Sequence, residues 1–222
     1  MSKSKEILEE LMSVFSGKTL DAIIPPFVFI IINSSYGITY AIFAAIMLSV
    51  LFGTYRLVRK QTGVYALTGM AGIIIAGLFA YLADNATNYF LPGIITNAFI
   101  LFLSLITIIM DKPLAAYASH LTRGWTLSWF WRKDVKPAYR EVTIMWSVFF
   151  LIRTIIQVTL FLSDNVDALV WANTIMGLPV TVGVLILSYV YGIWRLRTLK
   201  GPGIDEYIEN KNAPFRGQTR GF

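Results

Sequence analysis

The chain has 222 residues, 56% of them hydrophobic and only 14% charged, roughly half the charge of a soluble domain. It carries no cysteine and a single histidine, which excludes disulfides, thiol catalysis, thiolate metal sites and any site built on several histidines. The formal charge of +6 sits on residues flanking apolar runs, a pattern that fits membrane orientation and anionic phospholipid better than nucleic acid.

Taken in chain order, residues 1–19 form a cytoplasmic amphipathic segment. Ile7, Leu8, Leu11, Met12, Val14 and Phe15 recur at helical spacing against Glu6, Glu9, Glu10 and Ser13, which predicts a surface helix over 4–16. No short apolar core precedes a small-residue cleavage site, so no cleavable signal is expected.

Residues 20–197 read as an all-α membrane domain of six spans. Hydrocarbon demands about 20 apolar residues per helix, and each helix must satisfy its own backbone there. The first span covers 20–35, interrupted by Pro25-Pro26 and closed by a turn at 33–37. The second covers 38–55 and stops at Arg56, Arg59 and Lys60. The third covers 64–83 and ends in Asp84-Asn85-Ala86-Thr87-Asn88. The fourth covers 90–110, with Pro92 in its first turn. The fifth covers 141–162. The sixth covers 168–194, with a kink at Pro179.

Between the fourth and fifth spans, the loop 111–140 reads as a second interfacial helix. Leu114, Ala118, Leu121, Trp125 and Trp129 fall on one helical face beside Arg123, Arg132, Lys133 and Lys136, with aromatics at headgroup level and cations near phosphates. Residues 198–222, which include Gly201-Pro202-Gly203, read as a mobile cytoplasmic tail. With both termini cytoplasmic, every Lys and Arg except Arg153 falls on the inner side, and the outer connections carry only Asp84, Asp164 and Asp167.

Small and polar residues mark helix faces that point into a bundle. The second span gives Ala41, Ala45, Ser49 and Gly53. The third gives Gly69, Gly72, Ala76, Ala80 and Asp84. The fourth gives Gly93, Asn97, Ser104 and Asp111, and the sixth gives Asn173, Gly177, Thr181, Ser188 and Gly192. At about 1.5 Å per residue, Asn97, Gln157 and Asn173 lie roughly 9 Å below the outer boundary and Arg153 roughly 15 Å below it. Asn33 and Asp84 lie at outer helix ends. An arginine at such depth needs acceptors or water. Asp84 is the best-placed carboxylate, and Asp164 and Asp167 are alternatives.

Arg153, Gln157, Asp84, Asn97, Asn173 and Asn33 thus form a candidate polar pocket, either interhelical glue or an outward-facing ligand site. Arg56, Arg59, Lys60, Arg132, Lys133, Arg195 and Arg197 are candidate contacts for anionic lipid. No phosphate-binding loop, dinucleotide glycine pattern or nucleophile elbow is present, so neither a catalytic residue nor a cofactor nor a metal is expected.

From Trp131 onward the residues Trp131, Asp134, Tyr139, Thr143, Trp146, Arg153 and Gln157, then Gly177-Leu178-Pro179, resemble an actinobacterial family of membrane proteins known only as a domain of unknown function. Gly17, Leu20-Asp21-Ala22, Pro25 or Pro26, Phe29, Arg56-Leu57 and Lys112-Pro113-Leu114 also fit it. The chain is more distantly similar to intracellular septation protein A through Lys112-Pro113-Leu114, Trp146 with Phe149-Phe150, and Val170-Trp171-Ala172-Asn173 with Gly177. That family has an aliphatic residue at Arg153 and asparagine at Gln157. The resemblance implies an inner-membrane protein of envelope upkeep or division, with division or wall-synthesis proteins as partners. The alternative from the residues themselves is a small-solute transporter or ligand-binding membrane protein using Arg153.

Overall fold

The computed structural model describes residues 20–58, 63–219 and 221–222, and the side chains of 20–26, 30, 56, 57 and 63–70 lie outside that description. The expected helix over 4–16 and the candidate lipid contacts Arg59 and Lys60 also fall outside it. Among the described residues all regular structure is helical.

The apolar runs become helices whose ends sit where glycine or aspartate interrupts them. α1 (Leu20–Tyr36) and α2 (Ile38–Val58) part at Gly37, whose φ of 85° suits glycine. α3 (Gly63–Leu82) is followed by a 3-10 turn (Ala86–Phe90) and α4 (Leu91–Ile109). α5 (Leu114–Arg123) and α6 (Leu127–Phe130) precede α7 (Lys136–Leu162), α8 (Val166–Met176), α9 (Leu178–Leu199) and the short α10 (Ile204–Ile208). Among the described residues four segments are long and apolar enough to cross a membrane: Ile38–Tyr55, Ala86–Ile109, Lys136–Leu162 and Val166–Leu199. Phe27–Tyr36 and Ala71–Leu82 are shorter apolar stretches.

The chain divides into two compact units, Met1–Ile94 with Ile156–Leu178, and Ile95–Ile155 with Pro179–Phe222. In the first, α1, α2 and α3 pack in succession and α8 lies on α1. Small residues allow this approach, with Ala41, Ala45, Ser49 and Gly53 all buried on α2. On α3 the buried stripe is Ala76, Gly77 and Ala80, whereas Gly72 is exposed. A Cβ on Gly77 would stand 3.0 Å from Ile42 Cγ2. Phe29 stacks on Tyr89 at 4.4 Å, and Leu169 and Val170 of α8 complete the core.

Three helices end on an aspartate in the left-handed conformation: Asp84 (φ 48°), Asp111 (φ 56°) and Asp164 (φ 54°). Each precedes a residue whose N–H reaches back five positions: Asn85 to Ala80 O, Lys112 to Thr107 O and Asn165 to Leu160 O. This closes the helix end in the way a terminal glycine usually does. In two of them the following asparagine caps the next element: Asn85 Oδ1 accepts from Thr87 N at 2.7 Å and Asn165 Oδ1 from Ala168 N at 3.0 Å.

In the second unit the core is aromatic. Trp125, Trp129, Phe130 and Tyr139 pack edge-on or stacked with Val135, Ala138, Val142, Leu196, Ile204 and Phe222. The single interfacial helix expected over 111–140 is two helices, because Gly124 turns the chain at φ 71°. His120 Nδ1 donates to Trp125 O across that turn at 2.5 Å. The expected face is therefore split: Ala118 and Leu121 are exposed while Trp125 and Trp129 are buried.

The tail expected to be mobile is instead packed. Its glycines permit close backbone approach, since a Cβ on Gly201 would lie 2.6 Å from Asp134 O and one on Gly203 2.6 Å from Gly217 O. Pro202 O accepts from Trp129 Nε1 at 3.0 Å.

The kink expected at Pro179 appears as a break at Gly177, between α8 and α9. Proline cannot donate to the preceding turn, and a side chain on Gly177 would run into the carbonyl of Asn173.

Candidate functional site

Of the six predicted pocket residues, the structure joins two. Gln157 Nε2 donates to Asn173 Oδ1 at 2.6 Å, and Asn173 Nδ2 donates to Leu169 O, one turn back in its own helix, at 2.8 Å. Gln157 is 1% exposed. Both sit on apolar helices where an unpaired amide would be costly, so the pair supplies each with a partner. Asn33 is half-buried in the last turn of α1, and its carbonyl accepts from Gly37 N.

Asp84 is exposed at its left-handed helix end and enters no ion pair among the described residues. Its left-handed turn closes α3 and leaves the carboxylate exposed. Asn97, buried, and Arg153, half-buried, belong to the second unit. Arg153 Nε is buried without a hydrogen bond. The six residues do not form one site within either unit.

Sequence reasoning missed the job of Asp164. Its carboxylate accepts from Asn85 Nδ2 at 2.9 Å and from Thr87 Oγ1, tying the turn after α7 to the turn after α3. These hydrogen bonds, Thr87 first, hold its pKa below the ordinary aspartate value. A lowered folded pKa stabilises above the unfolded pKa and is lost as pH falls through the folded one. We expect the melting temperature to drop as pH falls below the usual aspartate range. Asp164→Asn should flatten that part of the profile, and an unchanged acid slope would refute the assignment.

In the second unit the predicted inward residues Ser104 and Ser188 both make side-chain hydrogen bonds to α7. Ser104 and Ser147 hydroxyls pair at 2.8 Å, Thr143 Oγ1 accepts from Ala115 N at 3.1 Å, and Trp146 Nε1 donates to Ser188 Oγ at 3.3 Å. Glu141 on α7 accepts two bonds from Arg195 on α9, at 2.7 and 2.9 Å, and one from Tyr191 at 2.9 Å. A reader could have found this group from its i, i+4 spacing on α9 opposite the only carboxylate in the fifth predicted span.

Among the candidate lipid contacts, Arg195 is thus engaged by Glu141. Arg132 is gripped by Asp134 through two bonds at 2.8 and 2.9 Å, which raises its pKa. Lys133 and Arg197 are exposed, and the side chain of Arg56 is not described. Arg132, Lys133, Asp134 and Leu199 line an open depression of about 470 Å3. Lys136 pairs with Asp111, and this bond lowers the Asp111 pKa.

No group of three or more metal-ligating side chains occurs among the described residues. No curated protein and no solved structure matches the chain. A family model described as a protein of unknown function, DUF3159, matches residues 16–197, and the chain belongs to that family.

Proposed function

We propose that this is a non-enzymatic bacterial cell-membrane protein with six crossings and both termini cytoplasmic, serving envelope maintenance or division. The observation that carries the reading is the aromatic body of the second unit, built from the segments richest in Lys and Arg. Its exposed Lys133 and Arg197 suit anionic phospholipid, at about 1 kcal/mol per cation near such a surface. The envelope setting is taken from the resemblance of the sequence to intracellular septation protein A.

Among the described residues four segments have the length and polarity to cross, and two shorter apolar stretches lie in α1 and α3. Crossing by both gives a one-sided distribution of Lys and Arg. The chain has no cysteine, so single cysteines report topology cleanly. Cysteines at 37, 84 and 164 should react with an impermeant maleimide in intact cells, and those at 60, 133 and 200 only after permeabilisation. Labelling at 84 only after permeabilisation would break the six-crossing reading. Crosslinking in cells should recover division or wall-synthesis proteins, and recovery of none would count against the envelope role.

The buried, unbonded Nε of Arg153 favours a second reading, in which this guanidinium holds an anionic or polar solute. Arg153→Leu should then abolish binding or flux in a protein that still inserts and melts as a folded chain, while Arg153→Lys retains part of it. A variant that melts normally and keeps full flux would end this reading.

A further inference from the structure

The C-terminal segment starts with the buried stretch 201–204 and is held to the second unit at its far end by specific contacts. Phe222 stacks on Tyr139 of α7, with ring centroids 4.3 Å apart and planes 13° from parallel. It lies over Gly192 of α9, where even a methyl group would collide with its ring. Gly221 takes φ 91°, and a side chain there would strike the Tyr189 hydroxyl. Upstream, the Glu206 carboxylate accepts from the backbone N–H groups of Gly203, Arg216 and Gly217 at 2.9, 2.7 and 3.1 Å. Gln218 Oε1 accepts from Ile204 N at 2.9 Å. Between Glu209 and Phe222 no helix or strand occurs among the described residues.

Two buried polar atoms at this contact make no hydrogen bond: Tyr139 Oη, which lies near Ser119 without bonding geometry, and Gln218 Nε2. Groups left in that state weaken the contact that buries them. The matched family stretch ends at 197. Tyr139, Tyr189 and Gly192 therefore lie inside the family region, and the segment that fills their site lies beyond it. The Phe222 ring joins the aromatic core of the second unit, yet the stretch that brings it there from Glu209 has no helix or strand among the described residues and leaves a buried amide nitrogen of Gln218 unbonded.

We infer that residues 201–222 are an intramolecular ligand. Phe222 occupies an aromatic-ring site made by Tyr139, Tyr189 and Gly192, the Glu206 carboxylate clasps the segment in place, and its release opens the site. A segment tethered in this way competes at an effective concentration on the order of millimolar.

The test uses the full chain in lipid nanodiscs and a fluorescent peptide of residues 201–222. The Phe222→Ala chain should bind the peptide about tenfold or more tightly than the wild-type chain, whose own tail competes. A peptide carrying Phe222→Ala should not bind, and adding Gly192→Leu to the Phe222→Ala chain should remove binding by filling the seat. Hydrogen exchange should show Phe222→Ala losing protection over 203–219 while α7 and α9 keep theirs. Glu206→Gln should shift exchange in the same stretch. Equal binding to wild-type and Phe222→Ala chains would overturn the inference. So would no binding to a Phe222→Ala chain with α7 and α9 still protected, or loss of protection throughout the second unit, which would make Phe222 an ordinary core residue. Concentration-dependent tail exchange between copies would replace the cis ligand with a swapped one.

Discussion

Trp129→Ala is expected to destabilise the protein by about 3–5 kcal/mol, the range for deleting a fully buried large aromatic. Trp129 is 0% exposed. Its ring meets Trp125, Phe130 and Tyr139 edge-on, and its indole N–H holds Pro202 O. Truncation would leave a cavity among aromatics and strand a carbonyl that fastens the tail. Trp129→Phe keeps most ring contacts and loses the hydrogen bond, so its expected loss is about 1 kcal/mol beyond any repacking. Trp194, more than half exposed, provides the contrast: Trp194→Ala should shift stability far less. Thermal melts of the three variants in one lipid or detergent check the order. A Trp129→Ala melt within error of wild type would mean the aromatic body does not contribute to stability.

Gly177→Leu is expected to cost about 2–3 kcal/mol and to disturb the residues on both sides of the break. A side chain at 177 collides with the Asn173 carbonyl, so backbone must shift, and strain of this kind costs about 1–3 kcal/mol even before neighbours adjust. The nearest neighbour to suffer is the Gln157–Asn173 pair, because Asn173 is the residue whose backbone has to give. Pro179→Ala, which only restores a donor to the first turn of α9, should have a smaller effect. Melts, with hydrogen exchange over 166–199, distinguish the two. A Gly177→Leu protein as stable as wild type would mean that the break follows from Pro179 alone.

The helices of the membrane region were legible because their signals are long and punctuated. Runs of apolar residues end at Gly37, at Asp84-Asn85 and at Asp164-Asn165, and the structure turns at those places. The common depth of Gln157 and Asn173 was legible from helical rise, but it gave Asn97 the same depth, and which amide meets which emerged only from the structure. Asp84 is exposed rather than on the inner face its spacing gave, because helical spacing continues a face past the last residue of the helix. Asp84 already lies in a left-handed turn, and there the spacing rule no longer says where a side chain points. The 111–140 face failed for the same reason at Gly124. The tail failed on composition: Gly201-Pro202-Gly203 looks like a linker, yet glycine also lets two backbones touch. Glu206 was missed because two of its three partners are backbone N–H groups ten and eleven residues away, in Arg216 and Gly217.

Leu121 on α5 is 86% exposed, and Ile109 and Met110 before it are exposed too, with Tyr117 more than a third open. From Ile109, the last residue of the apolar span Ala86–Ile109, this ledge continues past the span's end. Any amphiphile used to extract the protein must wet the ledge as well as the belt around the helices. A micelle sized only to the belt would leave greasy side chains in water, where copies would stick to one another through them.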